Sequence, residues 1–300
     1  MKELEECTLC PFKCKVNRNK NELGRCRAGN KIKIGLYSLH YDEEPCISGE
    51  KGSGTVFFSD CNLKCEFCQN YKISCESKGE EISIEKLSEI FIEQQNNGAN
   101  NINLVTAVPY IPHILEAIKI AKEKGLNIPI LYNTSGYENI ETLKMLEGYI
   151  DIYLPDFKYY DNDLAMRLSK VKDYKEQTEA AILEMKRQVG ENVYNENGIM
   201  QKGIIVRHLV LPNNVQNSKD VLKWIKEKLG SQTTISLMAQ YFPTYKALEN
   251  KEIDRKLTKE EYKEIENYLY ELNLENGYIQ DLEDEEEKYV QIDSKEIEEK

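Results

Sequence analysis

From Thr55 onward, short apolar runs alternate with segments of helical period. TVFFS is followed by a helical pattern near 84–97, NINLVTAV by one near 111–124, IPILYNTS by one near 138–147, and DIYLPDF by a long polar helical stretch near 161–189. GIIVRHLVLP, a helix near 218–229 and TISLMAQYF continue the series. About six successive β/α units predict parallel strands joined by right-handed crossovers, hence an α/β fold with an open or partial (β/α)6-type barrel. Active-site residues are then expected at the C-terminal ends of the strands. Residues 258–275 begin with Thr258 and Glu261 in capping-box spacing and place Tyr262, Ile265, Leu269 and Leu272 on one face, which predicts an amphipathic helix over the barrel. Ahead of the series lies a stretch of turn residues (Asn17 to Asn21, Gly24, Gly29, Asn30) with a short strand expected around Ile32 to Tyr37. The expected organisation is a cysteine-rich N-terminal module (1–50), a barrel (51–250), a helical cover (251–280) and an acidic tail (281–300).

Charge and cysteine usage narrow the picture. The 300 residues carry a net charge of -12, but ten acids against three bases fall in the last twenty residues, so the body is only mildly acidic. Without a basic patch to neutralise phosphates, a nucleic acid is not expected as primary ligand. The tail reads as a solvated end rather than an interaction module. No stretch approaches the roughly 18 apolar residues of a membrane span and MKELEECTLC lacks an apolar signal core, so a cytoplasmic protein with no membrane partner is expected. All nine cysteines lie between residues 7 and 75. In a cytosolic-looking chain such clustering points to metal or cluster ligation rather than a disulfide framework.

SGTVFFSDCNLKCEFCQN sets Cys61, Cys65 and Cys68 at C-x3-C-x2-C spacing directly after a strand. Three thiolates on a cubane cluster leave one iron open to a small molecule, as an incomplete ligand set leaves a catalytic metal accessible. A zinc knot or buried cysteines is the bland alternative. A second set, Cys7, Cys10, Cys14 and Cys26, is spaced C-x2-C-x3-C-x11-C among glycines that permit tight turns, enough thiols for zinc or for a second Fe-S cluster. Redox exchange by these thiols is a third reading. Cys46 and Cys75 remain as structural thiols or substitute ligands.

The motif with an aromatic residue, Phe67, before its last cysteine resembles the radical S-adenosylmethionine (SAM) superfamily. Over roughly residues 5–280 the chain resembles uncharacterised homologues of the pyruvate formate-lyase activating enzyme. The resemblance implies a [4Fe-4S] cluster on Cys61, Cys65 and Cys68 that reductively cleaves SAM to a 5′-deoxyadenosyl radical, which abstracts hydrogen from a substrate. A reductant such as flavodoxin or ferredoxin is implied with it. It also implies SAM contacts at Asn70, two residues after the last cysteine, and at the backbone of Thr106, where Thr106-Ala107-Val108-Pro109 replaces the Gly-Gly-Glu-Pro of activating enzymes. Asn133 and Ser135, with Thr134 between them, occupy the place of a ribose-contacting triplet, or cap the next helix. Asp156 and Lys158 resemble an Asp-x-Lys that holds the SAM ribose and carboxylate, the alternative being a surface salt bridge. Arg207 and Gln240 close later strands at SAM-facing positions.

Two other functions stay open. Glycyl-radical activation is one, although Glu50-Lys51-Gly52-Ser53-Gly54 stands where activating enzymes carry Arg-Gly-x-Arg. A non-catalytic Fe-S or zinc scaffold is the other. A protein, a peptide or a small metabolite all remain as substrates.

Overall fold

The structure, a computed structural model, describes residues 1–282; the expected acidic tail lies outside the described residues from 283 onward. The core is one sheet in which seven strands run parallel: β2 (Ser53–Phe58), β4 (Ile102–Val105), β5 (Ile130–Thr134), β6 (Ile152–Pro155), β8 (Met200–Leu209), β9 (Thr234–Met238) and β10 (Gly277–Ile279). Two antiparallel strands, β1 (Ile32–His40) and β3 (Glu80–Ile82), extend the β2 edge, and β7 (Val193–Tyr194) pairs with the start of β8. The sheet does not close, so the barrel is partial.

The crossovers follow the expected helical patterns: α3 (Ile84–Asn96), α4 (Ile111–Glu123), α5 (Ile140–Leu146), α8 (Val215–Leu229) and α9 (Lys259–Glu271). Thr258 and Glu261 form the expected capping box at the start of α9. The stretch expected as one helix over 161–189 is two, α6 (Asn162–Ser169) and α7 (Tyr174–Val189), because Lys170 adopts a left-handed conformation that ends α6. Short helices α1 (Pro45–Ser48) and α2 (Tyr71–Ser74) lie in the loops around β2.

Period-two alternation divides the strands between two apolar layers. Ile130, Tyr132, Tyr153, Ile204 and Val206 pack under the helices. Leu131, Ile152, Leu154, Met200 and Ile205 face the other way and pack with Cys46 and Ile47 of α1. β1 runs antiparallel to β2, with His40 opposite Ser53, so the chain leaving β1 arrives at the N-terminal end of the parallel strands. There α1 enters the barrel and forms its floor, held by Asn101, whose Nδ2 donates to the Ile47 carbonyl at 2.9 Å.

Residues 277–279, within the stretch expected as a helical cover, add a seventh parallel strand beside β9. Gly277 makes this approach feasible. At φ +152° it lies where side chains are rarely tolerated, and a Cβ there would sit 1.9 Å from the Ile235 carbonyl oxygen.

Candidate active site

The C-terminal ends of the parallel strands open into a cavity of about 620 Å³. Every residue expected to serve the cluster or SAM lines it: Cys61, Cys65 and Cys68; Asn70, Thr106, Asn133 and Ser135; Asp156, Lys158, Arg207 and Gln240.

The cysteine loop is held from several sides. Asp60 turns the chain at φ +68° and accepts from the Tyr110 hydroxyl at 2.8 Å. Asn62 donates from Nδ2 to the Tyr137 carbonyl at 2.9 Å, and the Glu66 amide donates to the Leu168 carbonyl at 2.8 Å. Phe67, the aromatic of the motif, is buried edge-on to Tyr159 and Tyr241. The Ser169 hydroxyl donates to Cys65 Sγ at 3.0 Å, and Ser74 Oγ lies 3.1 Å from Cys68 Sγ. Burial pushes the Cys61 thiol up to about 12 and raises Cys65 as well. Cys75, left unassigned by the spacing, follows α2, and its thiol is pulled down to about 6, chiefly by hydrogen bonding with Cys68.

Across the cavity the polar groups form one network. Lys158 Nζ donates to Asp156 Oδ2 at 2.5 Å. Arg207 donates three ways: from Nε to Asp156 Oδ1 at 3.0 Å, from Nη1 to Glu43 Oε2 at 3.0 Å and from Nη2 to Asn133 Oδ1 at 2.6 Å. Glu43 also accepts from Asn103 Nδ2 at 2.9 Å and Asn133 Nδ2 at 3.2 Å. Asp156 and Lys158 side chains are only 13% and 16% exposed, so the pair is not a surface salt bridge. Burial alone would push Asp156 up, but Lys158 and Arg207 more than offset it and hold the carboxyl below its ordinary range. The network's charge is thus set by neighbouring ions, not by solvent.

The remaining expected contacts are backbone-shaped or peripheral. Thr106 holds φ +62°, a left-handed turn unusual for a β-branched residue, and its amide donates to the Asn133 carbonyl at 3.1 Å. A tight turn therefore persists although glycines are absent. The Ser135 carbonyl accepts from the Tyr174 hydroxyl at 2.7 Å, and Gln240 Oε1 accepts from Gln280 Nε2 at 3.0 Å. Asn70 caps α2 with its carbonyl, which accepts from the Ser74 amide.

Sequence reasoning missed Glu43 and Glu44 on the cavity floor and Tyr278 on β10, all of which line the same space. The signal was the acidic pair just before Pro45, which reads as a solvated turn unless β1 is known to run back under the barrel.

The N-terminal thiols also share one locality: Cys10 is pushed up to about 12 by burial, with Cys26, Cys14 and Cys7 adding to the rise. Arg25 donates its amide to Cys14 Sγ at 3.3 Å, and Gly24 leaves room there, since a Cβ would sit 3.0 Å from that sulfur. Arg18 is fully buried and binds the segment to the barrel, donating to the Gly29 carbonyl and, from Nη1, to the Pro109 carbonyl at 2.6 Å.

Among the described residues no three His, Cys, Asp or Glu side chains stand close enough to share one metal ion.

Comparison with known proteins agrees with this arrangement. The family model described as the radical SAM superfamily matches residues 55–200, a span that contains the cysteine loop and strands β4 to β6. The chain belongs to the radical SAM superfamily. An uncharacterized protein of Methanocaldococcus jannaschii is 34% identical over 278 residues, covering 88% of this chain and 73% of that protein. A pyruvate formate-lyase-activating enzyme of Clostridium pasteurianum is 23% identical over 230 residues, 72% of this chain and 90% of the relative. Among solved structures, the FeFe-hydrogenase maturase HydG of Carboxydothermus hydrogenoformans matches at a TM-score of 0.53 with 15% identity, covering 75% of this chain and 53% of that one, which shows a common fold. The chain spans about half the length of several solved structures it matches. Radical SAM enzymes work with a [4Fe-4S] cluster, SAM and a reductant, and no helix among the described residues of this one is long and apolar enough to cross a membrane.

One buried acid of this radical SAM chain stands outside the cavity network. Glu138 accepts from the Tyr132 hydroxyl at 3.2 Å and from Thr134, its Oε2 has no partner, and burial pushes its carboxyl from 4.5 up to about 8. The unfolded chain therefore ionises first, and stability falls as pH rises from about 4.5 to about 8, by about 1.4 kcal/mol per pH unit at the steepest. Glu138→Gln is expected to remove this slope and to be more stable than wild type at pH 7.5; thermal unfolding at pH 5, 6.5 and 7.5 measures it, and parallel profiles would refute it.

Proposed function

We propose that this protein cleaves SAM reductively at a [4Fe-4S] cluster held by Cys61, Cys65 and Cys68 and uses the product to abstract hydrogen from a substrate in the same cavity. The observation that carries the reading is convergence: three thiols from the loop after β2 and polar groups from β4, β5, β6, β8 and β9 border one cavity. The cluster and SAM together supply a carbon radical strong enough to take an unactivated hydrogen; the protein's own part is to orient and to exclude water.

In this reading Lys158 and Asp156 meet the carboxylate and ribose of SAM, the turn at Thr106 offers backbone groups to its amino end, and Asn133, Ser135, Asn70 and Gln240 complete the polar wall. Arg207 already spends its three nitrogens on Asp156, Glu43 and Asn133. It acts as a positioning residue that fixes Asp156. A scaffold without chemistry has no use for a buried, charge-matched network at the mouth of a barrel, since burying ions costs several kcal/mol apiece before pairing. Cys7, Cys10, Cys14 and Cys26, gathered in one locality, are assigned to a second metal site that holds zinc or a second Fe-S cluster. A flavodoxin or ferredoxin is the fitting electron donor.

Anaerobically reconstituted protein given SAM and a low-potential reductant is expected to form 5′-deoxyadenosine. No product from protein with a full cluster spectrum would overturn the assignment.

A further inference from the structure

The cavity extends below the SAM-facing groups to the floor made by residues 43–48. Its only Lys or Arg side chains among the described residues are Lys158 and Arg207, against the carboxylates of Asp42, Glu43, Glu44 and Asp156. Lys158 is committed to Asp156, and Arg207 to Asp156 and Glu43. Among the described residues no cation forms an ion pair with Glu44, although this residue is only 7% exposed. Its Oε2 is buried without a hydrogen-bond partner, and Glu44 lines the cavity. A buried carboxylate oxygen with nothing to bind costs free energy unless something that visits the cavity supplies the partner.

We propose that the cavity floor is a substrate-binding site for an amine, whose ammonium group seats on Oε2 of Glu44. This rests on the reading of the cavity as a radical SAM site and names the class of substrate it takes. The donor set selects the cation. A metal ion is disfavoured because, among the described residues, no three acids converge on one point. A guanidinium is disfavoured because its planar fork wants two parallel acceptors, whereas one oxygen lacks a partner here; an ammonium is a point charge. Tyr278 of β10 lines the cavity beside Glu44 and gives the site an aromatic face that suits the same ion, while Ser236 of β9 hydrogen-bonds to the Glu44 carboxyl and positions it. Burial pushes the Glu44 carboxyl above its ordinary value, Arg207 pulls it back in part and Glu43 adds to the rise, so an arriving cation meets a group whose ionisation it favours.

Cavity-lining residues come from both flanks of the open side of the barrel, Ser38 and His40 of β1 on one side and Tyr278 on the other.

The test uses protein with its cluster and SAM bound, titrated by ligand-observed NMR with n-butylammonium and, as neutral isostere, n-butanol. The ammonium is expected to bind about tenfold or more tightly than the alcohol, the advantage of a charge-assisted hydrogen bond. Glu44→Gln is expected to erase that preference while leaving SAM affinity unchanged. Equal binding of the two probes to wild type, no binding of either, or a preference that survives in Glu44→Gln would overturn the proposal, as would loss of SAM affinity in the variant. The wild-type comparison stands even where the variant folds poorly. A parallel pair, N-acetyl-lysine methylamide against its norleucine counterpart, separates a peptide lysine from a free amine as source of the ammonium. Failure of the radical SAM reading would appear instead as absent SAM cleavage, which these titrations do not measure.

Discussion

Replacing Cys61, Cys65 and Cys68 together by alanine is expected to abolish 5′-deoxyadenosine formation and to remove one cluster's worth of iron, leaving only the zinc or iron bound at the N-terminal thiols. The loop should survive the change. Its shape rests on Asp60 with Tyr110, on Asn62 with the Tyr137 carbonyl and on the Glu66 amide, none of which involves a thiol. The loss is therefore one of ligands rather than of fold, and circular dichroism should match wild type. Elemental analysis reads the metal and chromatography reads the product. Retained SAM cleavage in the triple variant would place the chemistry elsewhere, and a variant free of all metal yet folded at its N-terminus would sink the second metal site.

Asp156→Ala is expected to weaken SAM binding by roughly 10- to 150-fold, the cost of losing one charge-assisted hydrogen bond of about 1.5–3 kcal/mol. The cluster's spectrum should not change. Because Asp156 is buried between Lys158 and Arg207, removing it also strands two cations, and a stability loss of about 3–5 kcal/mol is expected with it. Asp156→Asn separates the effects. It keeps an oxygen for one partner, so it should fold better than the alanine variant while still binding SAM weakly. Titration at equal cluster content checks both; SAM affinities indistinguishable from wild type would leave the pair a purely structural one.

The long elements were legible in the sequence because each carries its own period: β4 to β6 as apolar runs, α3, α4 and α9 as one-sided helices, the last with a capping pattern. What escaped depends on tertiary partners. β10 is three residues long and exists because Gly277 can lie against Ile235. The break between α6 and α7 falls at Lys170, a residue with no intrinsic preference for a left-handed turn. The cysteine motif carried its chemistry openly, since spacing and the preceding strand are local facts. Glu43 and Glu44 did not, because a pair of acids before a proline is the ordinary composition of a solvated turn. Only the antiparallel course of β1 brings them inside. Likewise Asp156 and Lys158 were visible as a pair, but whether they lay in solvent or under a barrel mouth depended on Arg207, fifty-one residues away.

The buried guanidinium of Arg18 bears on the order of assembly. Its acceptor at Pro109 lies ninety-one residues further along the chain, beyond β4. Closing so long a loop is entropically costly until the intervening strands have paired. Residues 1–30, synthesised before the barrel, thus have no docking place until β4 is in the sheet, and the thiols of Cys7, Cys10, Cys14 and Cys26 wait unburied meanwhile. The segment made first docks only after β4 has been made and paired.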